Sequence, residues 1–446
     1  MRYTPHTQED VRAALDAIGV DDVQALFADV PDALLDPPLD LPAPADEATL
    51  LRHVRALAAR TDAHGPSFLG GGVRAHFMPS VTKHLATQSE FVTAYTPYQA
   101  EVSQGVLQTT FEFQTMMSEL TGLPVSNASM YDGATAVAEA ALLALRATKR
   151  RRIVVSRGVH PHAREVLATY LAPLDVTVDV VDLDAHHATP VPTDLSDAAA
   201  WIVQSPNHLG TVEALPPHVE AAHAAGALSV AVADPLSLAV LRSPGEVGAD
   251  VAVGDGQTLG VPPQFGGPHF GYMVVTERLL RQLPGRLVGE TRDVDGRRGY
   301  VLTLQAREQH IRRGKAKSNI CSNHQLAAGM ATINLAALGP DGLREMAEGS
   351  VRNAHALAER LRREGYDVAT GDRPFFAEFP VRVDREATAV RRDLHAAGVR
   401  AGVPVPDEYG LGSAVLLAAT ESTTDDDVEA LVAALARVAP PAEVPA

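Results

Sequence analysis

The chain has 446 residues, of which 46% are hydrophobic and 21% charged. That is the make-up of a soluble globular protein long enough for two packed domains and an arm, and it excludes a disordered or fibrous chain. A net charge of −17, from 55 acidic against 38 basic residues, argues against a general nucleic-acid-binding face, which needs excess Lys and Arg. The single cysteine, Cys321, rules out an internal disulfide and a cysteine-rich zinc site and fits a reducing compartment. No apolar run of a signal peptide opens the sequence, and no stretch approaches the roughly 20 apolar residues of a membrane span, so the expected location is cytoplasmic.

In chain order, Thr7-Gln-Glu-Asp10 reads as a helix start, with Thr7 as cap and the acids in the positive first turn. Val11, Ala14, Leu15 and Ile18 then share one helical face, and Gly19 ends it. A second helix is expected from Val23 to Ala28 and a third from Thr49 to Arg60. The Pro-rich stretch between, residues 35–44, is expected to be an extended strap, because proline fixes φ and removes donors. Residues 1–90 are therefore assigned to an N-terminal helical arm and strap.

Gly70-Gly71-Gly72 predicts a backbone that something approaches closely, or a turn with positive φ. The loop holding Tyr95, Tyr98, Gln99, Glu101 and Gln104 is dense in polar and aromatic groups and leads into a helix reaching Leu120. It reads either as a binding loop or as an ordinary surface loop. From Asn127 the pattern becomes α/β. Gly133-Ala-Thr135 opens an alanine-rich helix whose N-terminus either presents free N–H groups to an anion or is simply capped and buried. Strands are expected at 153–156, 176–183, 201–207, 228–235 and 250–253, with helices between them at 160–170 and 217–225. Near-continuous apolar strands alternating with helices mean a mainly parallel sheet covered on both faces.

The carboxyl ends of these strands bring His160, Asn207, Asp234 and Gln257 to one edge, the usual ligand edge of such a sheet. The turn Gly254 to Gly260 and the Pro/Gly loop through Gly266 to Gly271 follow the last of them. Phe270 to Thr276 is one more strand, 284–299 is charged and loop-like, and 302–317 is strongly basic. That cluster either faces an anion or is a solvated helix face. A long helix is expected from Pro340 to Arg363, strands at 367–370, 376–383 and 414–420, and helices at 386–397 and 424–438. This gives a large α/β domain over 91–335 and a small C-terminal α+β domain over 336–446.

Six motifs carry a resemblance that covers nearly the whole chain. They are Tyr95 to Gly105, Asn127 to Thr135, Val253 to Gly260, Pro284 to Thr291, Leu302 to Arg313 and Ser318 to Cys321. They resemble the glycine cleavage system P-protein, and within it the separate alpha chain of the two-subunit form. The resemblance implies the fold of the fold-type-I enzymes that use pyridoxal 5'-phosphate. It implies a beta subunit that holds the cofactor, an α2β2 assembly, and a joint reaction in which glycine loses CO2. The remaining aminomethyl group then passes to the lipoyl arm of H-protein, with T- and L-proteins completing the system. It also implies vestigial cofactor positions at His160, which corresponds to a ring-stacking histidine, and Asp234, which corresponds to a pyridine-nitrogen aspartate. Both also have purely structural readings, as a capping or core histidine and as a strand-ending aspartate.

Such a cofactor needs a lysine to form an imine. The four lysines are Lys83, Lys149, Lys315 and Lys317, and none ends a buried strand. The catalytic half of the family carries a lysine after the strand at 250–253, and this chain has Gln257, whose amide cannot form an imine. The expectation is a subunit with no covalent cofactor, no catalytic residue complete on its own chain and no metal. Its loops (Tyr95, Tyr98, Gln99, Glu101 and Gln104, with Arg307 and Arg312 as anion candidates) would serve the partner's site. A self-sufficient pyridoxal enzyme using an unexpected lysine, and a free-standing interaction protein of the same fold, are the alternatives.

Overall fold

The computed structural model describes residues 5–35, 37–61, 65–92, 94–264, 267–320, 324–370 and 373–441. Two compact units divide it, residues 1–63 and 64–446.

The first unit holds helices α1 (Gln8–Ile18) and α2 (Glu47–Ala58). Thr7 and Asp10 cap α1 reciprocally, and Gly19 ends it at φ 88°, as the sequence predicts. The helix expected at 23–28 is instead a single tight turn, Gln24–Phe27, with no side-chain cap. The strap at 35–44 has no regular secondary structure among its described residues, which exclude Asp36. Leu15 alone is buried among the described residues of this unit, while Leu50, Leu51, Val54 and Leu57 of α2 lie exposed. An arm of this kind has no core of its own.

The second unit begins with β1 (Ser67–Phe68), the short helices α3 (Ser80–Ala86) and α4 (Ser89–Val92), and α5 (Gln104–Thr121). The α/β series follows: β2 (Val125–Ser126), α6 (Gly133–Thr148), β3 (Arg152–Ser156), α7 (Pro161–Leu171), β4 (Thr177–Val181), β5 (Ala198–Gln204), α8 (Leu215–Ala224), β6 (Leu228–Val232), β7 (Val251–Asp255) and β8 (Gly271–Val275). Seven strands form one sheet in the order β2-β8-β7-β6-β5-β3-β4, parallel except at β8, which runs antiparallel to both neighbours. The inner strands β3, β5, β6, β7 and β8 are Val/Ala/Ile-rich and almost wholly buried, as two covered faces require, while the edge strand β4 is partly exposed. The mainly parallel αβα architecture is therefore as expected.

The charged stretch at 284–299 is not a loop. It forms the hairpin β9 (Leu287–Arg292) and β10 (Arg298–Thr303). Asp293 accepts the N–H groups of Asp295 and Arg297, and Gly296 takes φ 81°, so an Asp-Gly turn closes it. Tyr300 packs on Phe111 of α5 at 5.3 Å between centroids, which anchors the ribbon.

After α9 (Gln309–Arg312) comes α10 (Gln325–Arg363), a helical run that starts fifteen residues before the expected Pro340. It breaks at Gly339, φ 64°, because Pro340 cannot donate into a continuous ladder. The small sheet consists of β11 (Glu378–Arg382), β13 (Val403–Pro404) and β14 (Ala414–Ala418) in the order β11-β14-β13. Helices α11 (Ala387–Ala396) and α12 (Asp425–Val438) cover it, and β12 (Arg400–Ala401) pairs with β1. The strand expected at 367–370 is reduced to an isolated bridge between Val368 and Val381.

Trp201 of β5, fully buried, donates its indole N–H to Nδ1 of His218 on α8 at 3.3 Å. Burial lowers the His218 pKa to about 4. The folded state therefore keeps this imidazole neutral, and its contribution to stability is complete above pH 6.5 and is lost as pH falls from 6.5 toward 4. In urea unfolding of the whole chain, His218→Leu should flatten the fall in stability across that window by roughly 2–3 kcal/mol relative to wild type. Equal slopes for the two proteins would contradict this assignment.

Candidate functional site: a cleft whose polar groups pair with one another

A cavity of about 620 Å³ opens at the carboxyl edge of the seven-stranded sheet, where the sequence places it. His160, Asn207 and Asp234 line it, together with Arg74, Asp255 and Glu378. None of the four lysines does. Gln257 is not among the lining residues either. It is buried behind the cavity wall, in a one-turn helix after β7, and its side-chain amide is fully used. Its Oε1 accepts the Arg74 N–H at 3.0 Å, and its Nε2 donates to the carbonyls of Arg74 at 2.9 Å and Val261 at 2.8 Å. The residue at the lysine position thus acts as a strut that clamps the backbone at Arg74.

Arg74 in turn sends its guanidinium into the cleft, where it pairs with both Asp234 and Glu378. Asp234 follows β6 of the large sheet; Glu378 is the first residue of β11 in the small one. The other oxygen of Asp234 accepts the Thr258 hydroxyl at 2.8 Å and the Leu236 N–H at 3.0 Å. Glu378 also accepts the Gly71 N–H at 3.0 Å. Burial pushes the Arg74 pKa down, but the two carboxylates outweigh it and hold it above the ordinary guanidinium value. The glycine run has the purpose expected of it. Gly71 and Gly72 take φ 79° and 97°, and a Cβ on Gly70 would stand 2.9 Å from the Glu378 carboxyl carbon.

At the other end of the cleft lies the N-terminus of α6. Asp132 caps it by accepting the Thr135 N–H at 2.8 Å. The Gly133 N–H, which the sequence offers to an anion, donates to the Asp255 carboxylate at 3.0 Å. Asp255 also accepts the Gln257 N–H at 3.0 Å and faces His269 at 3.7 Å. Burial raises the Asp255 pKa against the pull of these two N–H donors and His269. The positive helix end is thereby supplied with a carboxylate from the chain itself.

His160 is the N-cap of α7. Its Nδ1 accepts the His162 N–H at 3.2 Å and its Nε2 meets the Gly71 carbonyl at 2.9 Å, which fixes one neutral tautomer. Burial, ahead of all other influences, lowers its pKa. His208 packs edge-on against it at 4.9 Å, and burial, the largest cause, takes His208 down to about 3. Asn207 is equally engaged, donating to Glu213 at 2.8 Å and to the His187 carbonyl at 2.9 Å.

The other predicted residues lie on the loop before α5. Tyr95 is 76% exposed, and Tyr98, Gln99 and Glu101 are exposed as well. Tyr98 accepts a hydrogen bond from Arg286 at 3.2 Å and packs on His310 at 5.0 Å. Gln104 differs: its amide bridges the backbone N–H and carbonyl of Tyr300 at 2.9 Å each, so it ties α5 to the hairpin. Arg307, read from sequence as an anion candidate, is buried with its guanidinium on the carbonyls of Leu283 and Gly285. Arg312 is exposed and donates to the Ala306 carbonyl at 3.0 Å. Ser318 donates to Glu139 at 2.6 Å; Cys321 and Gly266 lie outside the described residues.

Sequence reasoning missed Arg74, Glu378 and Asp255. The available signals were a glycine run ending two residues before an arginine, and an aspartate two residues before Gln257. Gly210 shows how closely the cleft is built. A Cβ there would lie 1.9 Å from the Glu378 carbonyl oxygen at φ +88°, whereas one on Gly412, at φ +66°, meets nothing within 4 Å. Gly210→Ala should therefore cost about 3 kcal/mol or more in urea unfolding and Gly412→Ala only about 1 kcal/mol. Similar costs at the two positions would contradict the packing described.

Known proteins share this architecture and sequence. The family model for the glycine cleavage system P-protein matches residues 1–435. The chain is 47% identical to a probable glycine dehydrogenase (decarboxylating) subunit 1 of Moorella thermoacetica, over 98% of this chain and 99% of that one. It is 45% identical to the same-named protein of Exiguobacterium sibiricum, over 97% and 98%. A crystal structure of glycine decarboxylase (P-protein) of the glycine cleavage system, in inhibitor-bound form, superposes with a TM-score of 0.93 at 54% identity, covering 98% of this chain and 100% of that one. Lactobacillus brevis glutamate decarboxylase shares the fold at a TM-score of 0.68 and 14% identity, over 90% and 95% of the two chains. With residues 1–435 matched by the family model and its fold superposed on a solved member, the chain belongs to the glycine cleavage system P-protein family.

Proposed function

We propose that this chain is the noncatalytic subunit of a heteromeric glycine decarboxylase, and that a second subunit holds the pyridoxal 5'-phosphate. The pair decarboxylates glycine and passes the aminomethyl group to the lipoyl arm of H-protein. Relatives bearing the name subunit 1 imply the second chain, and the family implies pyridoxal phosphate in the complex. The single observation that carries the noncatalytic role is the internal pairing of the cleft's polar groups. Gln257 stands where the imine-forming lysine would be, Arg74 neutralises Asp234, and Asp255 occupies the first N–H of α6. These residues do not fit the cofactor, and no chemical step is assigned to them.

In this reading the assembly is α2β2 in the cytoplasm, with residues 91–335 and 336–446 as the large and small domains and T- and L-proteins as functional partners. The partner-facing surface is the exposed loop carrying Tyr95, Tyr98, Gln99 and Glu101. Apolar side chains beside it are exposed as well, namely Val102 at 78%, Ile311 at 57% and Leu326 at 54%. Charged residues are usually depleted, and aromatic ones enriched, at the centre of such an interface. Gln104 and Arg307 hold that surface in shape from behind. Among the described residues no helix is long and apolar enough to cross a membrane.

Reconstitution tests the proposal. The second subunit should exchange glycine with bicarbonate only when this chain is present, and this chain mixed alone with pyridoxal phosphate should show no visible Schiff-base absorbance. Tyr95→Ala and Glu101→Ala should lower exchange by about tenfold or more while leaving the melting temperature of the isolated chain within about 1 °C, since neither side chain is buried. Full exchange by the second subunit alone, or a Schiff-base band from this chain, would overturn the reading.

A further inference from the structure

The cleft contains two buried carboxylates from two different sheets, Asp234 and Glu378, and one buried cation between them. Two like charges enclosed together demand a counter-charge, and in a ligand-binding cleft that charge arrives with the ligand. Here it is delivered by the chain on a dedicated support. Gly70, Gly71 and Gly72 bring the backbone against Glu378, and Gln257 grips both the N–H and the carbonyl of Arg74. Rotating Arg74 out of the cleft would therefore strip the counter-charge from both carboxylates while its backbone stays clamped.

We propose that Arg74 is a built-in stopper, an internal cation that takes the place of a cationic ligand and holds the large and small sheets together across the cleft without any small molecule. This deepens the reading of the chain as a noncatalytic subunit and rests on it only in treating the cleft as free of cofactor. Two consequences follow. The fold of the isolated chain is complete without ligand, and removal of the guanidinium creates a new site for one, shaped for a planar cation with two carboxylate partners.

Chemical rescue tests this in the full-length chain. Arg74→Ala should melt about 5–10 °C below wild type, because one partner of a buried charge set is gone. Ethylguanidinium at about 10 mM should restore at least half of that loss in the variant and leave wild type unmoved, while ethylammonium restores less. If the variant does not stay soluble, it is refolded from urea with and without ethylguanidinium, and recovery only with the guanidinium supports the stopper. An unchanged melting temperature in the variant, a loss that ethylguanidinium does not reverse, or no recovery with either ion would overturn it. Those failures leave the subunit reading intact. A Schiff-base band from the wild-type chain would defeat the subunit reading and leave the rescue result untouched.

Discussion

The arrangement of the cleft depends on one charge balance, the Arg74 guanidinium between Asp234 and Glu378. Desolvating these groups is costly, and a buried ion pair adds little net stability over a well-packed apolar core. What it supplies is uniqueness. Asp234 is fixed by the large sheet, Glu378 by the small one, and the cation satisfies both only when the two sheets stand at one separation. The glycines before Arg74 and the amide of Gln257 exist, in structural terms, to place that cation.

The same logic repeats at the opposite end of the cleft. A free helix N-terminus attracts an anion, and α6 obtains one from Asp255, five residues after Asp250 and two before Gln257. The segment Asp250 to Gly260 thus supplies both the carboxylate that occupies the helix end and the amide that clamps the arginine. What remains is the scaffold of a cofactor enzyme in which the anchors for base, ring and anion are each bonded within the chain. In the proposed reading such a chain contributes to a reaction through its surface, and the exposed residues Tyr95, Tyr98, Gln99 and Glu101 are the candidates for it.

Much of this was legible in the sequence for identifiable reasons. The βα series showed because its strands are apolar throughout and its helices carry clear caps, as at Asp132 and His160. The sheet edge bearing His160, Asn207, Asp234 and Gln257 followed from strand ends alone. The hairpin at 287–303 did not show, because its charged outward residues mask a short alternation whose apolar members, Val288, Tyr300 and Leu302, pack on Leu107 and Phe111 of α5. The start of α10 at Gln325 was obscured by Gly339 and Pro340, which read as a beginning and turn out to be a break. Arg74 was beyond reach for a deeper reason. Its partners lie 160 and 304 residues away, and no local pattern announces a contact of that span.

On the proposed function, chemistry belongs to the pair while this chain holds no cofactor. The most direct measurement is the amount of pyridoxal phosphate in the purified complex of this chain with its second subunit, released by alkali and counted against both chains. One cofactor for each pair of chains, with none remaining on this chain after the subunits are separated, is the predicted result. Two for each pair, or cofactor that stays with this chain after separation, would contradict it.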